Sequence, residues 1–281
     1  MEQALTLDHF EGVLKFLRAH ASFSPLISVS EKLKNKHSAF SRTRVFVDDR
    51  ENIGTVVIED GESIRSDPDH VRLLVFMNEG ENQKAICQLI SHSFPLKRTM
   101  LTCCNQTVID SMARSLKGRF STVASTDAYA LPKGAVFNPI CPKGYGFRRA
   151  TEADVSFFHS TWKFASSPLS PYLKERYSNM IRRLPSVMVI YKDEGKDIVV
   201  GCGIQDILGC IGKVYVDEAH RRCGLASFII SELCSQIQSV GDVVPPHAYV
   251  EKDNHASSAV FEKLGFEKQT DTFVWGWFSV A

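Results

Sequence analysis

The stretch from Val214 to Ala226 holds the residues whose types and spacing do most to narrow the chemistry of this chain. A β-branched run stops at a short polar turn, and Arg221-x-x-Gly224-x-Ala226 then opens an amphipathic run. This order predicts a strand, a turn and a helix. A helix N-terminus offers unpaired N–H groups and the positive end of a dipole, and small residues let a phosphate approach the backbone. The motif therefore predicts a site for a diphosphate-bearing ligand.

The composition is that of a globular protein and argues against several other classes. Of the 281 residues, 44% are hydrophobic and 23% are charged, and no apolar run is long enough to span a bilayer. Lys and Arg number 33 against 32 Asp and Glu, so no overall field favours nucleic acid or an acidic membrane. The eight cysteines are irregularly spaced without a CxxC pair. That pattern favours reduced thiols in an intracellular protein over zinc or disulfides.

The chain divides near its middle. Residues 131–146 contain three prolines and three glycines, which predicts a connector without regular structure. Strands and helices alternate before the connector, and the patterns there predict helices near 7–17, 81–91 and 108–116 and strands over 71–77 and 99–103. After the connector, the patterns predict helices over 152–163, 171–183, 225–240 and 255–264, and strands over 187–191, 197–205, 209–216, 247–251 and around 273–277.

Three motifs in the second half carry a family resemblance. They are Arg148-x-Ala150-Thr151-x-x-Asp154, Arg221-x-x-Gly224-x-Ala226 and Asn254-x-x-Ser257-x-x-x-Phe261-Glu262-Lys263-Leu264-Gly265-Phe266. In residue types, order and spacing they resemble the GNAT superfamily of acyl-CoA N-acyltransferases. A more local match, His159-x-x-Trp162-x-Phe164, resembles the Asn-x-x-Trp-x-Phe segment of the glycine N-acyltransferases, with a histidine at the asparagine position.

The resemblance implies a fold and a division of labour. The expected fold is α/β, with a mixed, splayed sheet that has helices on both sides and with two GNAT-like halves. The resemblance places a non-catalytic half over residues 1–135. It places a catalytic half, which binds acyl-CoA, over residues 146–281.

The resemblance also assigns residues to coenzyme A. The backbone around Val216 would pair with the pantetheine arm, and the N–H groups of residues 222–226 would hold the diphosphate, with Arg221 at the family's Gln/Arg position. Asn254 would hydrogen-bond the pantetheine, and Ser257 would lie near the same arm. One helix N-terminus supplies enough donors for two phosphates, so no metal is expected. The full set implied for the cofactor is Val214, Val216, Arg221, Arg222, Cys223, Gly224, Leu225, Ala226, Asn254, Ser257 and Phe261.

The sequence departs from the family at two catalytic positions. The glutamate expected fourteen residues before Gly224 falls at Cys210, and the tyrosine of the last helix falls at Phe261. A cysteine can act as a base only with a depressed pKa, and nothing nearby in sequence supplies one. Other acidic and polar residues on the neighbouring strands therefore become candidates for proton transfer. The candidate catalytic residues are Asp206, Glu251, Cys210 and Tyr215.

These patterns favour an acyl-CoA-dependent N-acyltransferase that acts on the amine of glycine or another small amino acid or amine. The substitutions at Cys210 and Phe261 leave open a non-catalytic, acyl-CoA-binding regulatory protein. A protein N-terminal or lysine acetyltransferase is a further alternative. The expected partners are acyl-CoA and a small-molecule acceptor, and neither nucleic acid nor a membrane.

The N-terminal residues bear on the compartment. The segment Met1–Leu5 carries an acid and no basic cluster, so it lacks both a secretory pattern and an Arg-rich transit pattern. This predicts an intracellular protein and favours the cytoplasm. The glycine N-acyltransferase resemblance points instead to mitochondria.

Overall fold

The computed structural model describes residues 2–3, 7–20, 25–35, 43–59, 71–77, 99–116, 118–165, 168–241 and 244–280. The chain forms two compact units, one of residues 1–128 with 269–281 and one of residues 129–268. Each unit has its own hydrophobic core. The expected halves, 1–135 and 146–281, stay a prediction, because a division by contacts does not test which part carries chemistry.

The first unit is built as the alternating pattern predicts. Its elements are β1 (Glu2–Gln3), α1 (Leu7–His20), α2 (Pro25–Lys34), β2 (Arg44–Val47), β3 (Thr55–Glu59), β4 (Val71–Met77), β5 (Thr99–Asn105), α3 (Gln106–Leu116) and β6 (Gly118–Ala130). The strands from β1 to β4 pair antiparallel in order, and β4 pairs parallel with β5. The predicted helices at 7–17 and 108–116 and the predicted strands at 71–77 and 99–103 are confirmed. The predicted helix over 81–91 lies outside the described residues.

The second unit contains the connector and the predicted site. Its elements are β7 (Tyr145–Arg148), α4 (Val155–Ser160), α5 (Pro171–Arg183), β8 (Ser186–Asp193), β9 (Lys196–Gln205), β10 (Ile211–Val216), α6 (Leu225–Ser239), β11 (His247–Glu251) and α7 (His255–Lys263). The strand order is β11-β10-β9-β8-β7, antiparallel from β7 to β10 and parallel between β10 and β11. The sheet is therefore mixed. No regular element occurs over residues 131–144.

The last strand, β12 (Glu267–Val280), pairs antiparallel with β5 and so belongs mainly to the first unit. Val274 and Phe278 of this strand are buried in the core of that unit. The predicted strand around Phe273 and Trp277 is confirmed. None of the helices in the described ranges is both long and apolar enough to cross a membrane.

The predicted helix over 152–163 is wrong at both ends. One turn of 3-10 helix over Glu152–Asp154 leads into α4, which ends at Ser160. The hydroxyls of Ser160 and Thr161 donate to the carbonyl oxygen of Phe157 at 3.2 and 2.8 Å. Such local hydrogen bonds compete with continuation of a helix, so the chain leaves the helix here.

The predicted strand from Gly209 begins later, at Ile211. The Asp206 N–H donates to the carbonyl oxygen of Cys210 at 2.7 Å, and the Gly209 N–H donates to that of Asp206 at 2.8 Å. These two bonds close a tight turn between β9 and β10. Gly209 takes a φ of 81°, which glycine adopts without steric cost.

The Arg148–Asp154 motif anchors the beginning of the second unit. The Asp154 carboxylate accepts two bonds from the Arg148 guanidinium, at 2.6 and 2.7 Å, and one from the Thr151 N–H at 2.8 Å. Burial opposes ionisation of this carboxyl, but the hydrogen bonds outweigh it and hold the pKa of Asp154 below its ordinary value. The predicted capping pair of Thr151 and Asp154 is confirmed. The motif fixes local structure.

A glycine in β9 lets helix α6 pack closely on the sheet. A Cβ at Gly203 would lie 2.5 Å from Cγ2 of Ile229 and 3.0 Å from Cδ1 of Leu233. Both of those side chains belong to α6 and are fully buried in the core of the second unit. The spacing between α6 and β9 therefore depends on the absence of a side chain at this position.

Gly203→Ala is expected to destabilise the protein by about 1–3 kcal/mol, the usual cost of adding a methyl group to a packed core. Urea denaturation followed by circular dichroism measures the change. Gly146→Ala is the matched control, because a Cβ on that strand glycine meets nothing within 4 Å. The control should stay within about 0.5 kcal/mol of the wild type. Equal stability of the two variants would contradict the packing argument.

Candidate active site

Strand β10 is distorted in the middle of the second unit. Gly212 lies opposite Ile204 of β9, and Tyr215 lies opposite Cys202, so β10 has one residue more than its partner over this span. The register shift is a β-bulge. Lys213 within it has a φ of 52°, which is uncommon for a residue with a side chain. Bulges re-aim side chains and often occur beside functional sites.

Beyond its first residue, β10 also separates from β11. In the described residues, the register between these two parallel strands is limited to Ile211 opposite Ala248. The side chains of Val214 and Val216 pack toward the core formed with α6. A ligand in the gap between the strands would therefore meet backbone groups of β10, as an added strand does.

The turn after β10 presents N–H groups at the beginning of α6. Arg222 and Gly224 both have left-handed backbones, with φ of 64° and 79°. The first α-helical hydrogen bond runs from the Phe228 N–H to the Gly224 carbonyl oxygen at 3.0 Å. The N–H groups of residues 225–227 therefore have no acceptor within the helix. A turn of this kind at a helix N-terminus forms a concavity that binds anions.

The side chains around this turn are exposed and mostly cationic. Arg221, Arg222 and Cys223 are exposed. The Arg221 guanidinium donates to the carbonyl oxygen of Val216 at 3.3 Å and to Glu218 at 3.4 Å, which ties the turn to the end of β10. The geometry and the charge of the turn thus fit a diphosphate.

The predicted pantetheine contacts lie at the beginning of α7. The Asn254 side-chain oxygen accepts from the Ser257 N–H at 3.2 Å and so caps the helix. Its amide N–H groups are the part that could bind a ligand. Phe261, on the same helix, is buried in the core, where its ring lies 6.2 Å from that of Tyr129 and 5.0 Å from that of Phe266.

Two of the candidate catalytic residues lie at the turn between β9 and β10. The Asp206 carboxylate is 3.9 Å from Nζ of Lys213 and is partly exposed. Its other oxygen accepts from the Leu208 N–H at 3.3 Å. Cys210 is buried, and burial together with the nearby Asp206 charge raises the pKa of its thiol well above the ordinary value. The thiol therefore stays protonated, and a protonated thiol is a poor base.

The other two candidates lie farther along the site. Glu251, at the end of β11, forms an ion pair with Lys163, which follows α4 in the chain. Tyr215 is half-buried on β10, and its ring meets the edge of Phe157 at a centroid distance of 6.0 Å. Within the described residues, no group of three or more His, Cys, Asp or Glu side chains is placed to hold a metal.

Comparisons with known proteins agree with this architecture. Residues 188–275 match the family model described as FR47-like protein, and no curated protein matches the chain significantly. A Drosophila protein solved as a structural genomics target has a TM-score of 0.74 at 14% identity, with 100% of this chain and 98% of the other covered. The GCN5-related N-acetyltransferase of Sphaerobacter thermophilus has a TM-score of 0.54 at 13% identity, with coverages of 88% and 84%. The chain has the GNAT fold.

Another similar structure bears on the organisation of this GNAT fold. A tandem GNAT protein from the clavulanic acid biosynthesis pathway has a TM-score of 0.52 at 13% identity, with 84% of this chain and 81% of that chain covered. It supports the predicted arrangement of two GNAT-like halves. The closer resemblance to glycine N-acyltransferases finds no support in these comparisons and stays a prediction.

The GNAT fold also assembles a polar cluster that the sequence reasoning missed. The Lys213 ammonium lies 3.6 Å from the ring centroid of Trp162 and 5.4 Å from that of Tyr177. The Lys213 side chain is only 10% exposed. One signal was available in the sequence, because a lysine interrupts the apolar run of β10. Only the folded chain shows that the bulge brings this lysine against α5 and the end of α4.

Proposed function

We propose that the protein is an acyl-CoA-dependent N-acyltransferase that transfers an acyl group to the amine of glycine or another small amino acid or amine. The observation that carries this proposal is the bulged strand β10, which separates from β11 directly before an anion-binding turn. Coenzyme A is an extended arm that ends in a diphosphate, and this arrangement fits it. The donors needed for the phosphates are the N–H groups of residues 222–226, with Arg221 and Arg222 as flanking cations.

The chain's part in the reaction follows from the chemistry of a thioester. The amine forms a C–N bond to the acyl carbon, the tetrahedral oxyanion collapses, and the C–S bond breaks to release a thiolate that takes up a proton. Holding the two substrates together can lower the barrier by up to about 7–11 kcal/mol. A backbone donor near Val216 aimed at the oxyanion would add about 3 kcal/mol.

A base must also take the proton of the acceptor ammonium. We assign this role first to Asp206, because it is partly exposed and its ion pair with Lys213 is long, at 3.9 Å. Glu251 is the second candidate, although its carboxylate is bonded to Lys163. Cys210 is the weakest, because burial keeps its thiol protonated. Tyr215 remains a candidate for returning a proton to the leaving thiolate.

Thiol release tests the function directly. The protein is incubated with acetyl-CoA or benzoyl-CoA and a panel of amino acids and simple amines, and free coenzyme A is followed with a thiol reagent. We expect release that depends on both the acceptor and the protein. Isothermal titration with coenzyme A serves as the binding control. Tight binding without release for any acceptor would contradict the catalytic proposal.

That outcome would leave a second candidate function. The observation that favours it is the presence of Cys210 and Phe261 where the GNAT resemblance expects a glutamate and a tyrosine, both of them buried. With these substitutions the site could bind acyl-CoA without turnover. The protein would then act as an acyl-CoA-binding regulator.

A further inference from the structure

Two buried polar atoms beside Lys213 have no hydrogen-bond partner in the structure as described. They are the hydroxyl of Tyr177, which is 3% exposed, and Nδ1 of His159, which is 9% exposed. The two rings meet edge to face with their centroids 6.2 Å apart. Leaving a buried polar group unpaired costs about 1–3 kcal/mol. Native proteins rarely tolerate this cost without a water or ligand that satisfies the group.

The charges around these atoms favour an anion. The Lys213 ammonium lies against the rings of Trp162 and Tyr177, and its distance of 3.9 Å to Asp206 exceeds the ~2.7–2.9 Å of a charge-assisted hydrogen bond. Burial raises the pKa of Tyr177, and the Asp206 charge raises it further. The hydroxyl therefore stays protonated at neutral pH and acts as a neutral donor. A cation and a neutral donor together match the two oxygens of a carboxylate.

We propose that Lys213 and the Tyr177 hydroxyl form a carboxylate subsite that determines the specificity of the transfer reaction, with His159 as a further donor. This inference rests on the proposed function, because Lys213 lies on the same strand as Val216, where the thioester is placed. The two residues are three apart, about 10 Å along a strand. A lysine side chain and a small substrate together span that distance.

The carboxylate has two chemical sources. One is an amino-acid acceptor, whose carboxylate would meet Lys213 while its ammonium lies near Asp206. The other is the distal carboxylate of a dicarboxylic acyl group. In both cases the subsite selects a substrate that carries a carboxylate over an otherwise similar neutral substrate.

Selectivity measurements test the subsite and separate the two sources. Values of kcat/KM are compared for glycine and glycinamide as acceptors, and for succinyl-CoA and butyryl-CoA as donors. In Lys213→Met, we expect kcat/KM for the carboxylate-bearing member of one pair to fall about 10- to 100-fold. The neutral member should change less than about threefold, and Lys213→Arg should retain part of the preference. The pair that responds identifies the source of the carboxylate.

Two further variants keep the result interpretable. Tyr177→Phe, which removes only the hydroxyl, should reduce the same preference without loss of fold. Lys174→Met, which removes an exposed lysine of α5, should leave it unchanged. Equal losses for the carboxylate and neutral substrates, or a preference that survives in Lys213→Met, would overturn the proposal. Comparing each variant on the same pair cancels the different basicity of the two amines.

A binding measurement separates this proposal from the proposed function. The indole of Trp162 lies 3.6 Å from the Lys213 ammonium, so a carboxylate bound there should change its fluorescence. Glycine or succinyl-CoA should change the emission more than its neutral counterpart does, and Trp162→Phe should abolish the difference. This result would support the subsite even in a protein that releases no thiol. The same response to charged and neutral probes in both pairs would refute it.

Discussion

Gly224→Glu is expected to abolish coenzyme A binding. The new carboxylate would lie at the beginning of α6, where the N–H groups of residues 225–227 face the proposed diphosphate. It would repel the phosphates and compete for the same donors. Loss of two or more charge-assisted hydrogen bonds corresponds to an affinity loss of at least about 100-fold. Isothermal titration with coenzyme A measures it.

The control must account for backbone strain, because Gly224 has a φ of 79° and any side chain there costs about 1–2 kcal/mol. Gly241→Glu introduces the same carboxylate at another left-handed glycine, with φ of 72°, just after α6. A Cβ at Gly241 meets nothing within 4 Å. The control should lose comparable stability and retain affinity. Unchanged affinity in Gly224→Glu would refute the diphosphate site.

Asp206→Asn is expected to lower kcat by about 10²- to 10⁴-fold, the usual contribution of a general base. The affinity for coenzyme A should not change, since Asp206 lies at the turn between β9 and β10 and away from the diphosphate turn. Glu251→Gln should cost much less, because that carboxylate already bonds Lys163. Steady-state kinetics across pH, with titration calorimetry alongside, distinguish the two variants.

The conservative variant Asp206→Glu provides the matched control, because it keeps a carboxylate beside Lys213. It should recover part of the rate and restore the pH profile that Asp206→Asn loses. A larger loss in Glu251→Gln than in Asp206→Asn would assign the base to Glu251. Similar rates for both variants and the wild type would indicate a water relay in place of either carboxylate.

The elements with strong local periodicity could be predicted from the sequence. Helix α5 and strand β11 agree residue for residue with the expected 171–183 and 247–251, because alternation or a 3.6 period together with flanking prolines defines them locally. Errors fell where side chains or turns bond the backbone, as at the end of α4 and at Gly209. Periodicity carries no information on such bonds.

The candidate site divides along the same line. The diphosphate turn could be predicted because its glycine, alanine and arginines are neighbours in sequence. The cluster around Lys213 could not, because it depends on a bulge in the register with β9 and on contacts with Trp162 and Tyr177, which are distant in sequence. The pKa of Cys210 likewise follows from burial, which the residue type alone does not determine.

The close contact between α6 and Gly203 couples the proposed ligand to folding. The helix that would hold the diphosphate at its N-terminus is the one whose buried face fills the core of the second unit. A ligand bound only by the folded state stabilises it by about 2.7 kcal/mol at ~100 times its Kd. Occupancy would therefore protect this unit against unfolding and proteolysis. Cellular supply of the acyl donor would then set the lifetime of the protein as well as its activity.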